Sequence, residues 1–190
     1  MSRRGLLAFL LIVACTFFAC KRNSYEIEGT AEGFSDGDTL LLTIDFLSAR
    51  QTETIVIDNG KFGYRGKADS AMFCELHPLS DAEEQVMFFA EPNATICVRL
   101  QAGGQSRVWG TGANEAWQEL SDMCNAYEQH VESMVEAYYS DDVSESELQS
   151  TTERIGRLDR AKDEWLRQFA ERNKDNAMGA FLRNNVIYHN

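Results

Sequence analysis

The feature that most constrains the fold is a change in the spacing of apolar residues along the chain. From Tyr25 to about Trp109, apolar and polar residues alternate, which is typical of β-strands that bury one face. After that point the apolar residues recur every three or four positions, which is typical of amphipathic α-helices. We therefore predict an α+β protein in which a strand-rich domain over residues 25–113 precedes a helical segment over residues 114–190.

The strand-rich domain contains seven or eight short apolar runs that are separated by turn-forming residues. The segment 33–38, Gly-Phe-Ser-Asp-Gly-Asp, separates the first two runs and is rich in residues that favour turns. The run from Val86 to Ala90 is apolar on both faces, which indicates a strand that is either central in its sheet or covered by another element. Many short strands with regular turns favour an antiparallel β-sandwich or a partial barrel.

The clearest turn signal in the chain is Asn59-Gly60. This pair tolerates positive φ at both central positions, as a type I′ turn requires. If the flanking runs pair directly, Asp58 faces Lys61 with opposite charge. In the same register Ile57 faces Phe62, so the turn and the hydrophobic pattern agree. We predict a β-hairpin at this position.

The helical segment predicts two long helices joined by a short connection. Asn114 is a suitable N-cap, with Glu115 in the first turn, where the helix dipole favours acidic residues. A seam of apolar residues follows at Trp117, Leu120, Cys124, Tyr127, Val131, Met134 and Tyr138. A second helix from about Ser144 to Asn173 carries a stripe at Leu148, Ile155, Leu158, Trp165 and Phe169. We expect an antiparallel helical hairpin packed along these stripes, and the start of a third helix near Asn176.

The first nineteen residues have the regions of a secretory signal. Arg3 and Arg4 precede an apolar run from Leu6 to Ala19, and a small residue stands directly before a cysteine. The apolar run is shorter than the roughly 20 residues that span a bilayer. We predict a signal peptide over residues 1–19 that resembles a bacterial lipoprotein signal, in which the following cysteine is diacylated.

Two cysteines fit the acylated position. Cys15, preceded by Ile-Val-Ala, matches the lipoprotein pattern better than Cys20, preceded by Phe-Phe-Ala. We nevertheless favour Cys20, because it leaves a polar tether over residues 20–24, whereas Cys15 leaves an apolar start. Two acyl chains hold a domain at a membrane stably, while one chain does so only marginally. We expect a lipid-anchored protein of the cell envelope that faces the periplasm.

The charge of the chain limits its partners. The formal net charge is −12 at pH 7, and such an acidic chain repels phosphate backbones, so nucleic acid is excluded as a partner. The same charge repels anionic lipid headgroups, so membrane attachment must come from the acyl chains.

The sequence carries no recognisable catalytic or ligand-binding constellation. The three histidines His77, His130 and His189 do not share a zinc-binding spacing. The segment 36–38 lacks the further ligands of a calcium loop, and the segment 110–112 lacks the lysine of a phosphate-binding loop. We predict no catalytic residues, no cofactor and no metal site.

The remaining cysteines are Cys74, Cys97 and Cys124. None has the Cys-x-x-Cys spacing of a thiol redox motif. Cys74 falls on the expected core face of a strand, Cys97 on the opposite face from the apolar residues of its strand, and Cys124 on the helical seam. A disulfide remains possible, but three unpaired thiols that behave as small hydrophobic groups are the preferred interpretation.

Several of these segments resemble a known family. Gly29, the segments 36–40 and 59–66, and the segment 108–114 are similar to DUF4369, an N-terminal domain of unknown function in lipoproteins of Bacteroidetes-type bacteria. The resemblance covers roughly Tyr25 to Asn114. In that family a thioredoxin-like domain with a catalytic Cys-x-x-Cys commonly follows. This chain ends before any such domain, so the resemblance assigns no catalytic residue here.

Two functions are compatible with these observations. The first is a non-enzymatic binding or interaction module, anchored to the membrane, that presents Trp109, Trp117 or the helical seam to a protein partner in the cell envelope. The alternative is the N-terminal anchoring half of a membrane-tethered thiol-disulfide oxidoreductase whose catalytic domain is missing or separate.

Overall fold

A computed structural model describes residues 23–45, 47, 50–139 and 144–185. The predicted signal peptide, both candidate acylation sites Cys15 and Cys20, and His189 lie outside the described residues. The chain divides into two compact units, residues 1–111 and residues 112–190. The first is the strand-rich domain, which we call the sandwich, and the second is the helical unit.

The sandwich consists of eight strands in two four-stranded sheets. The first sheet has the order β4-β1-β7-β8 and the second has the order β3-β2-β5-β6. The strands are β1 Ser24–Glu32, β2 Thr39–Ile44, β3 Gln51–Val56, β4 Lys61–Lys67, β5 Met72–Pro78, β6 Val86–Ala90, β7 Thr95–Gln101 and β8 Arg107–Trp109. The predicted α+β class and the sandwich architecture are confirmed.

One strand pairing departs from the antiparallel expectation. β1 and β7 pair in parallel, with Ile27 opposite Ile96, whereas the other pairings between the named strands are antiparallel. Between β1 and β7 the chain builds the second sheet, so no tight turn links these two strands. Without that turn, no hairpin forces an antiparallel direction on them.

The Asn59-Gly60 turn forms, but the predicted hairpin does not extend beyond it. Both residues have positive φ, 51° and 67°, and Asp58 and Lys61 exchange two backbone hydrogen bonds of 2.9 and 3.0 Å. Beyond that pair β3 joins β2 and β4 joins β1, so the predicted pairing of Ile57 with Phe62 is wrong. The turn is a corner between the two sheets, because the strand before it pairs with β2 and the strand after it pairs with β1.

The core lies between the two sheets. Its largest fully buried residues include Ile27, Leu40, Leu42, Leu76, Phe88, Ile96 and Leu100. β6 is the last strand of its sheet, so the expectation of a central strand is wrong and the alternative of a covered strand applies. Phe88 and Phe89 are 0% and 3% exposed, which shows that both faces of β6 are buried.

Two glycines of the first sheet lie beneath aromatic rings of the neighbouring strand. Gly29 is opposite Phe62 and Gly66 is opposite Tyr25, and a Cβ atom at either glycine would collide with the facing ring. A ring that covers a cross-strand glycine shields backbone that the glycine leaves bare. The glycines are therefore required by packing between β1 and β4.

The helical unit contains three helices: α1 Gly112–Tyr138, α2 Glu145–Arg172 and α3 Ala177–Asn185. The predicted second and third helices are confirmed. Ser144 caps α2 in a capping box with Glu147. Asn114, predicted as an N-cap, instead lies inside α1 and is buried. α1 begins two residues earlier, at Gly112. Thr111, which directly precedes it, is also a residue type that caps helices.

α1 and α2 pack against each other as predicted, and the contacts between them include polar groups. The Tyr127 hydroxyl of α1 donates a hydrogen bond to Asp159 of α2, and Lys162 lies 4.1 Å from the centre of the Tyr127 ring. Arg172 of α2 pairs with Glu119 of α1 at 2.8 Å. In the part of the chain that the structure describes, no helix has the length and apolarity needed to cross a bilayer.

Candidate functional site

The three surfaces that the sequence predicted for a partner differ in how exposed they are in the structure. The seam of α1 packs against α2. Trp117 is half-buried, and its ring meets the Phe181 ring edge-on, with 5.5 Å between the two ring centres. Trp109 is 45% exposed. Of these surfaces, the one around Trp109 is therefore the one open to a partner.

Trp109 lies on the face of the first sheet that points away from the core. The register places Trp109 beside Cys97 on β7, and Cys97 beside Glu28 on β1. One step along the same face, Arg107 lies beside Arg99. Glu28, Cys97, Arg99, Arg107 and Trp109 form a surface that we call the Trp109 face. Strand alternation produces it, because Val98 and Val108 on the same strands point inward and are buried.

The rest of this outward surface is charged and polar. Arg65 of β4 pairs with Glu26 of β1 at 2.8 Å, and the two side chains are 66% and 37% exposed. Such an exposed pair contributes about 0–1 kcal/mol to stability. The outward surface of the first sheet therefore offers hydrogen-bonding groups of both charges around one exposed indole ring.

Each of the three described thiols has a raised pKa. Burial raises the pKa of the Cys74 thiol to about 11. Burial also raises the pKa of the Cys97 thiol, and the nearby carboxylate of Glu28 raises it further. The pKa of Cys124 is raised by burial and by Glu128, against a smaller lowering by Lys162. The reactive form of cysteine is the thiolate, and these environments disfavour it at neutral pH.

The described thiols are also unpaired with one another. Cys74, Cys97 and Cys124 are free in the structure, and Cys74 is buried while the other two are half-buried. The structure therefore shows one buried unpaired thiol, Cys74, and two unpaired thiols that are half-buried, while the redox state of the three in solution stays a prediction. Among the described residues, no group of three or more His, Cys, Asp or Glu side chains could hold a metal ion.

The histidines that the structure describes have ordinary surroundings. Nδ1 of His77 lies 2.8 Å from the carbonyl oxygen of Pro78, at the end of β5. His130 is exposed on α1 and borders a groove of about 370 Å³ whose other lining residues include Met134, Arg154 and Leu158. Neither imidazole contacts a nucleophile or a second acid–base group in the contacts described.

A second concave region opens at one end of the sandwich and was missed by sequence reasoning. A cavity of about 270 Å³ at one end of the sandwich, which we call the Tyr25 cavity, is lined by Tyr25, Ile44, Asp45, Gln51, Tyr64, Lys67 and Met72. The signal for it was present in β3. There the inward positions read Gln51, Glu53 and Ile55, so polar residues replace apolar ones toward one end.

The comparison with known families agrees with this architecture. Residues 25–117 match the family described as "Domain of unknown function (DUF4369)". The match covers just under half of the chain, and it shows a DUF4369 domain over residues 25–117. No curated protein sequence matches the chain.

A solved structure with partial similarity is the crystal structure of a "putative cell adhesion protein" from Bacteroides ovatus ATCC 8483. The sequence identity is 6% and the TM-score is 0.32, over 48% of this chain and 44% of that chain. The similarity thus extends over less than half of either protein.

Proposed function

We propose that this protein is a lipid-anchored, non-enzymatic binding module of the cell envelope that contacts a partner protein through the Trp109 face. The observation that carries the proposal is the exposed Trp109 indole on a sheet surface that also carries the half-buried Arg99 and Arg107. Tryptophan and arginine are the residue types most enriched among those that dominate protein–protein binding energies.

The sheet beneath the Trp109 face also supports a protein partner. Its side chains stand on strands whose backbone is already fixed by pairing, so binding has to order side chains only, and preorganisation of this kind lowers the entropic cost of association. The half-buried Cys97 in the middle of the face contributes apolar area beside the indole.

A cross-linking experiment tests the Trp109 face. A photoreactive amino acid is placed at Thr95, which is exposed on the same outward surface, in the full-length protein in its host membrane. We expect a discrete cross-linked protein that disappears in Trp109→Ala. Val56→Ala, which removes another exposed apolar side chain (58% exposed) from the second sheet, should leave the cross-link unchanged. A cross-link that persists in Trp109→Ala contradicts the proposal.

The anchor is tested by metabolic labelling with a radioactive fatty acid. We expect the wild-type protein and Cys15→Ser to be labelled and Cys20→Ser to be unlabelled. Label that survives in Cys20→Ser and disappears in Cys15→Ser would move the acylated residue to Cys15, and an unlabelled wild-type protein would overturn the lipid anchor.

The absence of enzymatic activity is tested by a thiol-disulfide exchange assay. The raised thiol pKa values support the expectation that the full chain in detergent shows no turnover. Turnover that is abolished by Cys97→Ser would overturn it. A thioredoxin-like reading frame directly downstream of codon 190 would favour the alternative, an anchoring half of a thiol-disulfide oxidoreductase.

A further inference from the structure

The sandwich begins within a few residues of the proposed acylation site. Lys21 and Arg22 alone separate Cys20 from Asn23, the residue before β1. The three peptide steps from Cys20 to Asn23 span at most about 11 Å when fully extended, and attraction to a charged surface extends over about 10 Å. When Cys20 is acylated, the end of the sandwich at which β1 begins is therefore held at the membrane surface.

This end, which we call the tether end, includes strand ends from both sheets. Ser24, the first residue of β1, is opposite Lys67, the last residue of β4. In the second sheet Ile44, the last residue of β2, is opposite Gln51, the first residue of β3. Lys67, Ile44 and Gln51 line the same cavity, so these strand ends lie together.

The tether end carries a depression of about 400 Å³ on the outward surface of the first sheet. Its polar lining comes from β1, from β4 and from the start of β7 with the turn before it, and consists of Ser24, Glu26, Arg65, Lys67, Asn93 and Thr95. The volume lies within the roughly 300–1,000 Å³ of ligand sites. The depression therefore lies beside the first residue of β1, in the part of the sandwich that the tether holds nearest to the bilayer.

Several side chains around the depression can donate hydrogen bonds. Lys67 is exposed and forms no ion pair with the residues that the structure describes. Arg65 binds Glu26 through one nitrogen, so its other N–H groups can still donate. The side-chain oxygen of Asn93 accepts from the backbone N–H of Asn23 at 3.2 Å, which leaves the Asn93 amide NH₂ group to donate. Cationic and amide donors of this kind suit the oxygens of a phosphate group.

The local charge differs from the charge of the whole chain. The net charge is −12, but the depression is lined by two cations and by one carboxylate, Glu26, which is already in an ion pair. Asp69 also lies at this end, where its carboxylate accepts from the Asn23 amide at 2.8 Å. Lys21 and Arg22 add two positive charges beside the acylation site. Exposed charges more than about 10 Å away are largely screened, so these local groups decide what binds at the tether end.

We infer that the depression at the tether end binds the phosphate of a phospholipid headgroup, with Lys67, Arg65 and the Asn93 amide donating hydrogen bonds to its oxygens. The inference rests on the acylation of Cys20 in the proposed function, because the short tether brings the depression to the bilayer. The acyl chains supply the attachment, and the headgroup contact sets which end of the sandwich faces the membrane. The Trp109 face, whose residues lie further along the strands, takes no part in this contact.

Photochemical cross-linking in vesicles tests the contact. The acylated full-length protein is reconstituted in vesicles of phosphatidylethanolamine and phosphatidylglycerol with a trace of phospholipid that carries a radioactive phosphate. A photoreactive amino acid is placed at Ser70, which is exposed between β4 and β5 at the tether end, or at Leu79, which is exposed after β5 at the opposite end. We expect irradiation to label the protein from Ser70 and not from Leu79. Equal labelling from both positions, or none from Ser70, overturns the inference.

Charge reversal at either end of β4 tests the role of Lys67. Lys67→Glu should lose most of the label from Ser70, and Lys67→Arg should keep it. Lys61→Glu makes the same change in charge at the first residue of β4, at the opposite end, and should keep the label. Full labelling in Lys67→Glu, or an equal loss in Lys61→Glu, contradicts the inference. The contrast between Ser70 and Leu79 is measured with Lys67 in place, so it decides the inference even if Lys67→Glu fails to fold.

Two further measurements separate the ways in which the inference can fail. Fatty acid is measured on the same preparations. Acylated protein without label from Ser70 overturns the inference and leaves the anchor standing, whereas wild-type protein without fatty acid overturns both. Inorganic phosphate is then compared with sodium chloride at equal ionic strength during irradiation. Equal labelling in the two salts supports a lipid headgroup, while label that only phosphate removes would assign the depression to free phosphate and overturn the inference.

Discussion

Buried side chains are distributed differently in the sandwich and in the helical unit. In the sandwich, fully buried residues come from both sheets, for example Ile27 and Ile96 from the first and Leu40 and Leu76 from the second. α2 is 28 residues long and fully described, and Phe169 is its one buried residue. A sheet covers the whole inner face of the opposite sheet, whereas a helix in a hairpin covers only a stripe of its neighbour.

This difference indicates which interactions matter in each unit. Removal of an inward side chain from the sandwich leaves a cavity that neighbours on both sheets cannot fill. Most of α2 faces solvent, so helix propensity, the capping box and ion pairs such as Arg172–Glu119 carry more of its stability. We expect large effects from packing changes in the sandwich and small effects of either sign from local changes in the helices.

The largest effect is expected from Phe88→Ala. Phe88 is fully buried in β6, and truncation of a buried phenylalanine costs about 3–5 kcal/mol of unfolding free energy. Val56→Ala, at an exposed site of β3, should change the unfolding free energy by no more than about 0.5 kcal/mol. Denaturant unfolding of both variants checks the contrast, which disappears if Phe88→Ala costs less than about 1 kcal/mol.

The next effect is expected from Gly29→Ala. The added methyl group would collide with the Phe62 ring, and overpacking of this kind costs about 1–3 kcal/mol. The double variant Gly29→Ala/Phe62→Leu should lose less than the sum of the two single variants, because the smaller side chain relieves the collision. Strict additivity in denaturant unfolding would show that the ring is not what excludes a side chain at Gly29.

A smaller loss is expected from Ser144→Ala, which removes the capping box of α2. The Ser144 hydroxyl accepts from the Glu147 backbone N–H at 3.4 Å and donates to the Glu147 carboxylate at 2.6 Å, and loss of such a cap costs about 0.5–2 kcal/mol. Ser150→Ala, at an exposed position within α2, should cost nothing, since alanine has the higher helix propensity. Helical content followed by circular dichroism during unfolding measures both variants, and equal losses would exclude the cap as the cause.

The Ser144→Ala effect should also depend on pH. Hydrogen bonds from the Ser144 side chain and backbone lower the pKa of Glu147 below its ordinary value of 4.5. A carboxyl group with a lowered pKa in the folded state contributes stability above its unfolded pKa and loses it as the pH falls. The difference between Ser144→Ala and the wild-type protein should therefore shrink below pH 4.5, and a difference that grows there contradicts this assignment.

The smallest effect, with the opposite sign, is expected from Gly156→Ala. Gly156 lies within α2, and a Cβ atom there meets only an ordinary contact at 3.7 Å with Arg160. Alanine in place of an unconstrained helical glycine should raise the unfolding free energy by about 0.5–1 kcal/mol. A glycine-to-alanine change should therefore stabilise the helical unit at Gly156 and destabilise the sandwich at Gly29. Thermal unfolding of both variants shows whether the two changes in stability have opposite signs.

The local elements of this fold were readable from the sequence because short-range rules set them. The apolar run from Val86 to Ala90 coincides with the observed bounds of β6, and Ser144 was correctly placed at the start of α2. The candidate sites were predicted less completely. Trp109 was one of three surfaces that the sequence predicted for a partner. The Tyr25 cavity was missed, because its lining residues come from β1, β4, β5 and both ends of the connection between β2 and β3.

The sequence by itself determined the α+β class, the order of the elements and the positive φ angles of the Asn59-Gly60 turn, because these depend on side-chain period and on backbone preferences over a few residues. Only the tertiary structure decided that β3 and β4 leave that turn for different sheets, that β1 and β7 run parallel, and that the Tyr25 hydroxyl is enclosed without a partner. Strand partners are chosen by burial of whole faces between residues distant in the chain, and no local pattern records that choice.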